Sequence, residues 1–525
     1  MIPILDSRQM RAADEAAIED GVPSLTLMEN AARGIADAIE NRFPDWRRSV
    51  VVCGPGNNGG DGLAAARMLC KRFSVRVFTL REPDSYRADP AVNLRRAREA
   101  GIAPESLASE AGIDSFGRAL EEADGVVDAL FGTGLDRPLE GAAARVVGTI
   151  NRGNRAVVAA DVPSGLSSDS GEIAGEAVTA TLTVAFAAPK LCHALPPARH
   201  RCGTVLVHDI GIPESLLEPK DHALFLATAD AVRGLLPPRA PGANKGNFGR
   251  IAIIAGSRGK TGAAVLAARG ALRGGAGLVT VMCPASLETV IVSALPEVMT
   301  QGLPEKEGAL SAEAGQELAR RLADFDAAVV GPGLGKAEGT VAAVETLLAQ
   351  ARVPVVVDAD GLNAFAGRAQ ALSGRASATV LTPHPGEAGR LLGISAREVQ
   401  ADRLGVAREL ARSTGACVLL KGEASLTATA DGRVVVNSSG TPLLATAGSG
   451  DVLSGLIGAL LGAGLEARDA AAASAWLHGA AGERLAETLG DAGLLSREVA
   501  DAIPHVRREL RASGARAGTG DTGRE

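Results

Sequence analysis

Residues 54–62 read Gly-Pro-Gly-Asn-Asn-Gly-Gly-Asp-Gly, between the apolar run SVVVC (49–53) and the helix-like LAAARMLC (63–70). A glycine-rich turn there aims backbone N–H groups and a helix N-terminus at one point, which suits an anion. It has neither the spacing of the G-x-G-x-x-G fingerprint nor the Lys-Ser/Thr of a P-loop, so a tight turn capped by Asn and Asp fits as well. Two further apolar runs end in acids, Asp128 in VVDALFGTGLDRPL and Asp161 in AADVPSGLSSDSG. If these runs are parallel strands, Asn58, Asp128, Asp161 and Ser164 meet at their carboxyl ends, where open α/β sheets bind ligands. Oxygen donors without His or Cys suit a hard cation, although each aspartate alone fits equally as a helix cap.

The second half carries a different constellation. Gly448-Ser449-Gly450-Asp451 opens the apolar stretch VLSGLIGALLGAG (452–464). Free amides at that helix start favour phosphate oxygens. Asp451 stands where it can take a proton from a hydroxyl attacking a terminal phosphoryl group. Upstream lie Lys421-Gly422-Glu423 and Pro383-His384-Pro385-Gly386-Glu387, with His384 held between two prolines that restrict its backbone. Asp358 and Asp360 in PVVVDADGLNAF end another apolar run. They read either as a capping pair or as contacts to substrate or magnesium.

The elements that must position these residues are short β-branched runs followed by glycine turns: SVVVCG, GVVDALFG, AVVAADVP, RIAIIAG, AAVVGPG, PVVVDAD and CVLLKG. Unbroken apolar runs of this length suit strands covered on both faces, as in parallel sheets. Ala/Leu/Arg/Glu stretches of helical spacing separate them, so the pattern is βαβ throughout and the fold class is α/β. At roughly 100–200 residues per domain, 525 residues make at least two domains. The division falls near residue 222, giving domains 1–222 and 223–512. The Pro/Gly-rich LLPPRAPGANKGNFG (235–249) leads into the second. The small, polar end, 513–525, is expected to be a disordered tail.

Composition narrows the classes. Aromatics are 2%, glycines number 64 and the net charge is −7. The cores must be aliphatic, and neither base stacking nor attraction to phosphate backbones or anionic membranes is expected. Six cysteines without a C-x-x-C make no disulfide scaffold. No signal-peptide core or membrane span is apparent, so a cytoplasmic protein is expected. A homo-oligomer is expected as well. Cys192, His193, His200 and Cys202 cluster in sequence, but their spacing is poor for tetrahedral zinc.

The order GPGNNGGDG, VDALFGTG, DVPSGL, AFAAPKL and HDIGIP, with LMENAARG (27–34) near the start, resembles the family of NAD(P)HX epimerases, which act on hydrated NAD(P)H. The likeness covers about residues 1–215 and implies a Rossmann-like domain. Its glycine loop, Asn57, Asn58, Gly59, Gly60 and Asp61, would bind the nicotinamide nucleotide. So would Gly132, Thr133, Gly134, Leu135, Asp136, Arg137, Pro138 and Asp161. The resemblance further implies potassium held by Asn58, Asp128 and Ser164, and Asp161 as the residue moving protons.

Residues 235–507 resemble the ribokinase-like superfamily, specifically its NAD(P)HX dehydratase branch. An HKG-type opening is usual there; here Asn244-Lys245-Gly246 stands in place, and Gly-Ser-Gly-Asp replaces the commoner Gly-Thr-Gly-Asp. The likeness implies that Ala263, Gly333, His384 and Asp451 contact the hydrate. Lys421, Gly422, Glu423, Ala424, Ser425 and Gly450 would contact ADP or ATP, used with Mg²⁺. Asp451 would help phosphorylate the hydrate's hydroxyl, and elimination of phosphate would regenerate NAD(P)H. Both epimers would then be salvaged by one chain. An alternative is a small-molecule kinase fused to a nucleotide-binding regulatory module, which would leave a stable phosphate ester. In a third reading the first domain is a non-catalytic module for a partner protein.

Overall fold

The structure is a computed structural model that describes residues 1–135, 137–218 and 223–517. It divides into two compact units, Pro3–Leu224 and Phe225–Glu525, with Met1–Ile2 clustering with the second.

The first unit is built on strands β1 (Arg48–Cys53), β2 (Ser74–Thr79), β3 (Glu105–Ser106), β4 (Gly125–Ala129), β5 (Ala156–Ala160), β6 (Leu182–Phe186) and β7 (Thr204–His208). They form one sheet in the order 3-2-1-4-5-6-7, every pair parallel. Alternate side chains supply two cores. Val51, Val127 and Val158 pack on one face, and Val50, Val126 and Val157 on the other, as the period of two requires of a sheet covered on both sides. The order reverses direction between β1 and β4, which opens a crevice at their carboxyl ends.

The second unit contributes β8 (Leu224–Ala227), β9 (Arg250–Ile254), β10 (Leu278–Pro284), β11 (Met299–Leu303), β12 (Ala327–Val330), β13 (Val355–Val357), β14 (Thr379–Leu381), β15 (Cys417–Leu420), β16 (Leu426–Ala428) and β17 (Val434–Asn437). Their order is 8-17-16-15-14-13-12-9-10-11. The run from β15 to β11 is parallel, while β15, β16 and β17 meander antiparallel. Helices Thr261–Gly274, Ser449–Gly462, Ala467–Leu489 and Ser496–Ala517 cover one face through an aliphatic core that includes Ile251, Val281, Val329 and Leu456. The last helix continues to Ala517, into the segment expected as a tail, and 518–525 lie outside the described residues. Among the described residues no helix is long and apolar enough to cross a membrane.

Candidate active sites

In the first unit the carboxyl ends of β1, β4 and β5 surround a cavity of about 500 Å³. Sequence reading makes the whole segment 54–62 a loop, yet helix Asn57–Leu69 already begins after Gly56. Its first turn therefore carries Asn57, Asn58 and Asp61 to the cavity. Gly59 and Gly60 are buried behind them. A Cβ on Gly59 would stand 1.8 Å from the Gly54 carbonyl oxygen, so the strand-to-helix turn closes only around glycine.

Asp128, at the end of β4, is fully buried. One carboxylate oxygen accepts the Ser164 hydroxyl at 2.6 Å and the Leu130 N–H at 3.2 Å, and the other accepts the Ser164 N–H at 2.8 Å. Burial pushes this carboxyl up to about 6, against the pull of those hydrogen bonds. Asn58 Oδ1 lies 3.2 Å from where a Cβ on Gly132 would stand, and Asp161 Oδ2 lies 3.4 Å from it. The donors gathered at this corner are oxygens, while Asn58 Nδ2 is buried without a hydrogen-bond partner.

Asp161 follows β5 with φ +62°, a strained value for a residue with a Cβ. Its Oδ1 accepts the Lys190 ammonium at 2.5 Å and the Phe186 N–H at 3.1 Å. Gly132, Thr133 and Gly134 line the cavity. Leu135 packs into the core on the opposite sheet face, Arg137 and Pro138 are exposed and do not line it, and Asp136 lies outside the described residues.

Sequence reading misses several groups here. Asp14 and Arg11, from helix Ser7–Glu19, and Asp89 also line the cavity, as does Lys190. The one local signal for Lys190 is a lysine inside the otherwise apolar AFAAPKL. Burial pushes Asp14 up to about 6. It drives Asp61 well above the usual carboxylate range, helped by the charges of Asp161 and Asp14. His193 is buried, its Nδ1 accepting the Lys190 backbone N–H at 3.0 Å. Among the described residues no group of three or more His, Cys, Asp or Glu side chains is placed to hold a metal ion.

In the second unit the carboxyl ends of the parallel strands meet the N-terminus of helix Ser449–Gly462. Gly448 precedes that helix in the left-handed conformation, φ +86°. Asp451 lies in the first turn, and burial, then the charge of Asp358, push its carboxyl up to about 7 while Lys421 pulls the other way. Lys421 leaves the end of β15 and reaches Asp358 Oδ1 at 2.8 Å and Glu387 Oε2 at 3.7 Å. Burial would lower its ammonium, but these carboxylates outweigh burial and hold it above its ordinary value. Lys421 Nζ lies 3.4 Å from where a Cβ on Gly450 would stand, so the cation borders the Gly448–Asp451 turn.

Ala263 and Gly333 are brought together: a Cβ on Gly333 would meet that of Ala263 at 2.9 Å. Asp360 accepts the Gly335 N–H at 2.8 Å and lies 3.4 Å from Lys260 Nζ. Burial works against its charge, but those hydrogen bonds and Lys260 hold it below the usual range. His384 caps helix Pro385–Leu392, its Nδ1 accepting the Gly386 N–H at 3.0 Å. Its side chain is half-exposed, and partial burial lowers its pKa, favouring the neutral ring. In the 421–425 segment, Ser425 donates to Gly422 O at 2.8 Å, Ala424 is buried, and Gly422 and Glu423 are exposed. Arg403, absent from the sequence reading, donates to the Glu423 carbonyl. His478, likewise absent from the sequence reading, places its Nε2 3.1 Å from the Ser449 hydroxyl.

The family profile described as NAD(P)H-hydrate dehydratase matches residues 251–505, and that described as YjeF-related protein N-terminus matches 24–192. A bifunctional NAD(P)H-hydrate repair enzyme of Moorella thermoacetica is 43% identical over 94% of this chain and 94% of its own length. The chain belongs to the bifunctional NAD(P)H-hydrate repair enzyme family. The family's enzyme from Thermofilum pendens is 41% identical over 95% of this chain and 94% of its own. The ADP/ATP-dependent NAD(P)H-hydrate dehydratase of Bacillus subtilis is 31% identical over 55% of this chain and 98% of its own, with a TM-score of 0.48. In this member of the family, both sites lie at the carboxyl ends of parallel strands. Its dehydratase match spans the segment from β9 through the Gly448–Asp451 turn.

Proposed function

We propose that the first unit interconverts the R and S hydrates of NADH and NADPH. The second removes water from the S form at the expense of ADP or ATP. The observation that carries this is a pair of separate acid-lined sites on one chain. One is built around Asp161, and the other around Asp451 at the head of a phosphate-favouring helix.

Hydration of an enamine places the hydroxyl on the carbon bonded to the ring nitrogen. Epimerisation at that carbon is served by breaking and remaking its C–O bond. The hydroxyl takes a proton and leaves as water while the nitrogen lone pair fills the gap. Water then adds to the opposite face and gives up a proton, and Asp161 is positioned to handle it. Asn58, Asp128 and Ser164 offer one buried carboxylate and neutral oxygens, a set that fits a weakly charged hard cation such as K⁺. When bound, K⁺ would neutralise Asp128. Asn57, Asn58 and the Gly132–Gly134 turn would hold the dinucleotide.

In the second unit Asp451 takes the proton of the hydrate's hydroxyl as its oxygen attacks the terminal phosphoryl group. Amides of Gly448 to Asp451 and the Lys421 ammonium face the transferring charge. The new phosphate ester is a good leaving group: the ring nitrogen expels it to leave an iminium, and loss of a proton from the neighbouring ring carbon to solvent restores the enamine of NAD(P)H. Ala263, Gly333 and His384 border the hydrate, and residues 422–425 with Gly450 border the nucleotide. Asp360, which keeps its charge, would hold Mg²⁺, whose chemistry is to neutralise phosphate.

The test is recovery of nicotinamide absorbance from a mixture of R and S NADHX with Mg²⁺ and either ADP or ATP. Complete recovery is expected. Accumulation of a stable phosphate ester instead would replace the dehydratase with a small-molecule kinase.

A further inference from the structure

Lys190 is 1% exposed. A lysine so deep in a protein is tolerated only when paired, and its partners are specific. Its ammonium donates to Asp161 Oδ1 at 2.5 Å and to the Phe186 carbonyl at 2.8 Å. It thereby ties the strained residue after β5 to the end of β6. Asp161 Oδ1 is fully engaged, since it also accepts the Phe186 N–H. Oδ2 points instead toward Gly132, in the cavity wall. The charged groups facing this cavity are Asp14, Asp61, Asp89, Asp161, Arg11 and Lys190; His193, behind Lys190, is held neutral by burial. Carboxyls crowded into one poorly solvated space cannot all ionise, and the one nearest a cation keeps its charge.

Resting on the epimerase reading above, we infer that Lys190 is a positioning residue that assigns the proton roles in this cavity: it fixes Asp161 as the carboxylate base, with Oδ2 toward the substrate, and leaves Asp61 as the proton donor. Asp61 is buried at the head of its helix, and burial favours its neutral form. The proton balance closes within the pair. Asp61 gives a proton to the departing hydroxyl, Asp161 takes one from the adding water, and the proton returns through solvent at the cavity mouth.

The test uses Lys190→Met and Lys190→Gln in the full chain, with urea unfolding read from Trp46 in a Trp476→Phe background as the control on folding of the first unit and dehydration of the pure S hydrate as the control on the second. The expected result is a fall in epimerisation kcat of at least tenfold with KM for the hydrate nearly unchanged. The acid limb of the kcat–pH profile should move up by more than one pH unit. A loss confined to KM, or an unshifted profile, overturns the inference. Should both variants fail to fold, carboxyl ¹³C NMR of the wild-type protein decides: Asp61 is expected to hold its proton well above the usual carboxylate range, and an Asp61 that titrates as an ordinary carboxylate overturns the assignment. A wild-type chain that dehydrates the S hydrate but epimerises nothing would sink the epimerase reading, whereas the NMR titration would still judge the charge assignment by itself.

Discussion

Replacing Asp451 with Asn should slow dehydration severely and stabilise the protein at the same time. In the unfolded chain this carboxyl ionises near 3.8, and in the folded chain near about 7. Between those values the folded state keeps a proton that the unfolded state has lost. Stability therefore falls as pH rises through this window, and the whole cost is present above about pH 7. Fully desolvated, that gap corresponds to roughly 4 kcal/mol. Water at the mouth of the site screens part of it, and the favourable helix N-terminus that Asn forfeits takes back about 0.5 kcal/mol. The net gain for Asp451→Asn at pH 8 is about 2 kcal/mol, near thirtyfold in the unfolding equilibrium. The gain should vanish below about pH 3, under the unfolded pKa of 3.8, where wild type is protonated in both states. Urea unfolding read from Trp476 in a Trp46→Phe background reports the second unit, because these are the chain's two tryptophans, one in each unit. Loss of the base should lower dehydration kcat by roughly 10²–10⁴. In wild type the same rate should fall tenfold per pH unit below 7. A variant less stable than wild type at pH 8, or one that keeps its rate, would refute a buried, proton-accepting Asp451.

Asp161→Asn should leave dehydration intact while recovery from mixed hydrates falls to the S fraction plus slow spontaneous epimerisation; undiminished total recovery counts against Asp161. Exchanging K⁺ for choline should slow epimerisation at least tenfold, and Asp128→Asn should remove that dependence; equal rates in both salts would dismiss the cation site. Gly448→Ala places a Cβ at a backbone φ of +86°, 2.4 Å from the Leu266 side chain, so unfolding stability should drop by about 1–3 kcal/mol. KM for the nucleotide should rise with it. A fully stable, fully active Gly448→Ala would show that the turn does not shape the phosphate site.

The layered α/β character and most of the acids at the strand ends are legible in the chain because both are local. Apolar runs of five or so residues ending in Asp128, Asp161, Asp358 or Asp360 place those acids at the ligand end of a parallel sheet, whatever the helices do. The Gly448–Asp451 turn is equally local, since glycine and an acid before an apolar helix define their own amide concavity. The start of helix Asn57–Leu69 is not. Glycine-rich sequence reads as loop, and only packing of Gly59 against Gly54 shows that the helix begins at Asn57. The charge partners are likewise tertiary. Lys190 meets Asp161 across 29 positions and Lys421 meets Asp358 across 63, distances over which no spacing rule holds. The family resemblance makes Lys421 a nucleotide contact. In the fold it is half of a buried ion pair beside Asp451. Sequence by itself determines which groups stand at the strand ends. Only the tertiary structure, by removing water from some of them and pairing others, decides which acid holds a proton and which gives it up.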